Sequence, residues 1–64
     1  MCEANAYLIK GDEEELILES VDVIKPNEEG GYQLVSIFGE QKNVAGTIKM
    51  MNLVEHKIVF EPVV

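Results

Sequence analysis

Sixty-four residues, 47% of them hydrophobic and 27% charged, make one domain at most, spanning 1–64, with the composition of a folded chain and not of a disordered tail. Twelve acidic residues stand against five lysines and no arginine, for a formal net charge of -7, so a surface built to neutralise phosphates is excluded and nucleic acid is not an expected partner. The single cysteine cannot close an internal disulfide, no stretch approaches the roughly 20 apolar residues of a membrane span, and no basic, then apolar leader opens the chain. A reducing, cytoplasmic setting without a membrane is therefore expected.

The apolar residues alternate with a period of two almost throughout, and closely spaced Gly, Pro and Asn clusters punctuate them. Cys2, Ala4, Ala6 and Leu8 share one face of a first strand, and "KGDEE" is the first turn, its acidic run Asp12 to Glu15 read as a solvated loop. Leu16 to Leu18 begin a second strand that Val21 to Ile24 continue or restart, and "KPNEEGG" ends it. Tyr32, Leu34, Ser36 and Phe38 oppose Val35 and Ile37, which predicts a third strand buried on both faces. After "FGEQKN", Val44, Ile48 and Met50 line a fourth strand in which Gly46 allows a bend. In the last segment Val54, His56, Ile58 and Phe60 share a parity, which places His56 on a buried or partner-facing side, before Pro62 stops the ladder.

Five to seven short strands in so few residues predict an all-β fold, a small SH3-like or Sm-like antiparallel barrel. A chain of this length buries only about 60% of its unfolded surface, so its core is marginal. With neither disulfide nor long helix available, a second copy is the expected support, and a homodimer follows.

A catalytic reading finds little material: Ser20 and Ser36 sit in no nucleophile-elbow context with His56, and an enzyme is not expected. "GDEEE" and "NEEGG" lack the alternating oxygen ligands of a calcium loop, and Gly30 and Gly31 read as a turn and not a phosphate cradle. Met50 and Met51 read as core gap-fillers. His56 reads as a core or interface histidine, with a metal-ligand role as the alternative.

Cys2 is the candidate metal ligand. Its sulfur lies next to a main-chain nitrogen with which it can close a five-membered chelate ring on one ion, the amide of Cys2 if Met1 is kept or a free amine if it is removed. Two donors are too few for a specific site, but two copies across a twofold axis supply two sulfurs and two nitrogens. Four strong donors in a plane favour Ni(II) or Cu(II), whereas closed tetrahedral thiolate sites favour zinc. The thiol ionises near pH 8.5 when free, so binding should strengthen as pH rises. A redox handle joining two chains through Cys2 is a further reading, as is a small barrel module that binds RNA or protein with no metal role.

The opening "MCEANAYL", the acidic "EEELILESVD" and the later "VAGTIKMMNLVEHKIVF" together resemble the CooT family along essentially the whole chain. The resemblance implies a small β-barrel homodimer that binds one nickel ion per dimer through the second-residue cysteine and serves nickel delivery to carbon monoxide dehydrogenase. Only Cys2 carries over as a ligand, and the sequence lacks a His-rich tail.

Overall fold

The computed structural model describes residues 3–62. Six strands follow one another: β1 (Ala4–Lys10), β2 (Glu13–Pro26), β3 (Tyr32–Ser36), β4 (Gln41–Val44), β5 (Gly46–Asn52) and β6 (Lys57–Pro62). They form one sheet in the order β4-β3-β2-β1-β6-β5. All ladders are antiparallel except that between β1 and β6, which is parallel and pairs Asn5 with Lys57 through Leu8 with Phe60.

The expected antiparallel barrel is thus corrected in two respects. The sheet is mixed, because the first and last strands run the same way, and it is not closed, because β4 and β5 are edges with no ladder between them. It is nevertheless strongly rolled. A flat sheet of six strands would set its edges about 24 Å apart. Yet only Ala45 separates Val44 at the end of β4 from Gly46 at the start of β5, a span of about 7 Å at most. The edges meet at that one corner.

The bend that allows this is made in β2, which at 14 residues belongs to both halves of the fold. Its register slips against β1 between Ala4 and Ala6 and again between Ala6 and Tyr7, and against β3 between Val21 and Val23. Each slip leaves extra residues on β2, the bulge that bends a strand and lets it pass from one layer to the next. Ser20, at φ 55, marks the sharpest point. Its freed groups are taken up: its N–H donates to Asn5 Oδ1 at 3.4 Å and its carbonyl accepts from the Ile37 N–H at 2.9 Å. The bulges also explain the uninterrupted apolar triplet, since Ile17 and Leu18 both reach the core while Leu16 is exposed.

Inside the roll lie Ala6, Leu18, Val21, Leu34, Val44, Ile58 and Phe60. Phe60 is fully buried and tilts against Tyr32, their ring centroids 5.8 Å apart, so the end of the chain is packed against the far half of the sheet. Burying such a side chain contributes on the order of 2–3 kcal/mol, a large share for a domain this small. The strand buried on both faces is β6 and not β3. Val59 is only 1% exposed yet lies outside the core cluster, beside its register partners Tyr7 and Met50. In β3 only Leu34 and Ser36 are buried, and Phe38 falls in the following turn, 76% exposed.

Two local devices hold the turns. Ser36 Oγ accepts the N–H of Phe38 at 3.2 Å and of Glu40 at 3.1 Å, closing the β3–β4 connection. Gly46 lets β5 approach β6, because a Cβ there would stand 2.2 Å from the Glu61 carbonyl oxygen. Ser36→Ala should lower the unfolding free energy by about 1–3 kcal/mol, since two N–H groups lose their acceptor. Gly46→Ala should cost a similar 1–3 kcal/mol or so by overpacking. In the same urea titrations Lys49→Gln, exposed on β5, should stay within about 0.5 kcal/mol of the parent.

Candidate metal centre

Cys2 lies outside the described residues, and the structure is described from Glu3, which is exposed. The chain enters the sheet at Ala4, partly buried against the core and paired with Val21. Asn5 then donates its N–H to the His56 carbonyl at 2.7 Å. The parallel β1–β6 pairing therefore brings the start of β1 beside the β5–β6 turn, about fifty residues away along the chain.

That turn is pinned by a reciprocal pair: the Glu55 N–H donates to Asn52 Oδ1 and the Asn52 side-chain amide to Glu55 Oε1, both at 3.1 Å. It exposes Leu53 by 71% and Val54 by 90%. His56 ends it in the left-handed region at φ 55, with its side chain exposed. The expectation of a buried face through Val54, His56, Ile58 and Phe60 is corrected here: β6 starts only at Lys57, and strand alternation has no force in the turn before it. On the other side of the entry stand the Ser20 bulge and the turn that carries Phe38, tied by the Ile37–Ser20 hydrogen bond. One end of the sheet thus gathers the entry of β1, the only histidine and, among the described residues, the three most exposed large apolar side chains.

The acidic run lies elsewhere, since Glu13 pairs with Lys10 at the far end of β1. Only Gly11 and Asp12 form the turn, and Glu13 to Glu15 already belong to β2, not to the solvated loop expected of them. Two of these carboxylates are engaged, Glu15 with Lys10 at 2.6 Å and Glu14 with Lys57 at 2.7 Å. Lys57 reaches Glu14 across β1 and lies 5.0 Å from the centre of the Tyr7 ring. Its hydrogen bond with Glu14 holds the ammonium above the ordinary lysine value. A raised group stabilises the fold below its ordinary pKa and loses that contribution only as pH rises through the folded value, so the pair is fully present at neutrality.

Among the described residues no three His, Cys, Asp or Glu side chains gather as a metal site. A centre at the entry of β1 must therefore draw on donors from residues 1–2 or from a second chain. Met50 and Met51 are partly exposed and not gap-fillers of the core. Ser36 Oγ is engaged as the acceptor of two turn N–H groups. Among the described residues no helix is long and apolar enough to cross a membrane. The approach of His56 to the entry of β1 had no signal in the sequence, because it arises only when the first and last strands pair.

Comparison with known proteins gives a consistent answer. A family model described as CO dehydrogenase accessory protein CooT matches residues 1–61. A crystal structure from Carboxydothermus hydrogenoformans, assigned there as CooT, is 46% identical, covers 98% of this chain and 100% of its own, and superposes with a TM-score of 0.90. No curated protein matches significantly. With the match running over nearly the whole length and the fold shared, the chain belongs to the CooT family, described as accessory to CO dehydrogenase.

Proposed function

We propose that this protein is a cytoplasmic nickel metallochaperone: a homodimer that carries one Ni(II), its cargo, through Cys2 of each chain and delivers it to carbon monoxide dehydrogenase. Membership of a family described as accessory to CO dehydrogenase carries this reading, because the family match begins at residue 1 and so includes the cysteine. The chemistry of the donors supports it. A thiolate and an adjacent main-chain nitrogen from each of two chains make a four-donor set suited to a planar divalent ion. Copper would be bound still more tightly by the same donors, so nickel loading follows metal supply and not intrinsic preference.

The second copy covers the end of the sheet where β1 enters. Leu53 and Val54 are too exposed to serve their own chain, and an apolar surface beside the entry is what a self-complementary twofold contact requires. The protein part of the work is rigidity. The entry of β1 is tied to β2 and β6, so Cys2 precedes a fixed platform in the sequence, while the net charge of -7 raises the local concentration of cations and repels nucleic acid.

Titration of Ni(II) into the reduced protein should give one metal per two chains and a thiolate-to-nickel charge-transfer band, both lost in Cys2→Ser while the circular dichroism spectrum is unchanged. Nickel binding that survives in that variant ends the reading. Sedimentation equilibrium should show a dimer that Leu53→Asp weakens by about tenfold or more, roughly 1.4 kcal/mol. Thermal stability of the monomer should be untouched, since Leu53 packs against nothing in its own core.

A further inference from the structure

We propose that the hollow between the first half of β2 and the turn after β3 is a docking site for an extended, lysine- or arginine-bearing segment of another protein. The proposal is independent of Cys2 and of any metal. It is carried by a length of strand with one side unpaired. β3 pairs with β2 only from Val21 to Pro26, and β1 lies on the other side of β2 from Glu13 to Val21. From Glu13 to Glu19, therefore, the side of β2 facing away from β1 has no ladder among the described residues. Main-chain N–H and C=O groups on that side are open to a further strand, the contact by which extended peptides add to a sheet. A hollow of about 370 Å³ lies along it, lined by Leu16, Ile17, Leu18, Glu19, Phe38 and Glu40.

The lining determines what fits there. Leu16 is 43% exposed and Phe38 76%, apolar surface that the chain's own core does not use. Phe38 is presented by a fixed turn: Ser36 Oγ accepts the N–H groups of Phe38 and Glu40, the Ser36 N–H donates to the Glu40 carbonyl, and the Ile37 N–H donates to the Ser20 carbonyl. An aromatic ring outside the core, on a backbone already ordered, is the kind of anchor that carries interface energy at little entropic cost. The rim is acidic. Glu19 and Glu40 are exposed, and among the described residues neither takes part in an ion pair, whereas Glu14 and Glu15 do. A second copy of this chain is the wrong occupant, because a twofold contact here would set these carboxylates against their own images in an assembly already carrying -7 per chain. The complementary occupant alternates apolar side chains, which enter against Leu16 and Phe38, with cationic ones that reach Glu19 and Glu40.

The probe is a short synthetic peptide in which leucine alternates with lysine, followed by fluorescence anisotropy and by amide shifts of the isotope-labelled intact protein without added metal. Saturable binding is expected, with the largest shifts at Leu16 to Glu19 and Phe38 to Glu40, while a peptide alternating leucine with glutamate does not bind. Phe38→Ser should weaken the lysine peptide on the order of tenfold or more and leave the unfolding midpoint in place, since the ring lies outside the core. Glu19→Gln combined with Glu40→Gln should weaken it by about tenfold. Glu28→Gln combined with Glu29→Gln removes the same charge from the β2–β3 turn and should stay within about twofold of the parent. Equal losses in the two double variants would mean attraction to net charge alone and would overturn the proposal, as would unchanged affinity in Phe38→Ser or no binding at all. A dimer that dissociates in Phe38→Ser would put a second copy on this face and overturn it too.

Discussion

The parallel ladder between β1 and β6 is the contact on which the rest of the structure depends. It joins the first strand of the chain to the last, at a loop-closure cost that only well-packed side chains can offset. Ala6 opposite Ile58 and Leu8 opposite Phe60 supply that packing. Because β6 is held by β1 on one side and β5 on the other, its central residues are buried on both faces, and Val59 as well as Ile58 and Phe60 leave solvent. A strand in that position is the keel of a small domain.

Around it the sheet rolls without closing. The three slips of register in β2 and the single residue between β4 and β5 solve one problem, which is how sixty residues can enclose a core with one layer of backbone. A closed barrel would need β4 and β5 to run side by side over several residues. Four residues of β4, already paired with β3 from Tyr32 to Val35, meet the other edge only at Ala45. The polar Gln41, Lys42 and Asn43 suit an edge left open to water, whereas β5 exposes Met50 and Met51 next to Lys49.

The two ends of the sheet have separate work. Toward the far end, charges are consumed in pairs, Glu15 with Lys10 and Glu14 with Lys57, the latter reaching over from the first residue of β6, which steadies the start of β2. At the entry end there are few charges in pairs, but apolar groups and a histidine are displayed to solvent beside the first residues of the strand. The proposed carriage of a metal ion would need this division. The platform must be fixed, and the donors must be accessible enough to give the ion up.

Much of this was written in the residues. The period-two pattern, the glycine and proline punctuation and the lack of any helical stripe determined an all-β chain of short strands, and the excess of carboxylates over lysines determined the sign of its net charge. The "MCEANAYL" opening, which holds the only thiol, also carried the resemblance to the family whose model matches residues 1–61. Strand direction, the open edge and the surroundings of His56 were decided only in three dimensions. Alternation reports which side of a strand is buried and is identical for parallel and antiparallel partners, so it cannot say that β6 lies beside β1. It also has no meaning in a turn, which is why His56, one residue before β6 begins, shared a parity with Phe60 in the sequence and yet stands in solvent beside Asn5 in the fold.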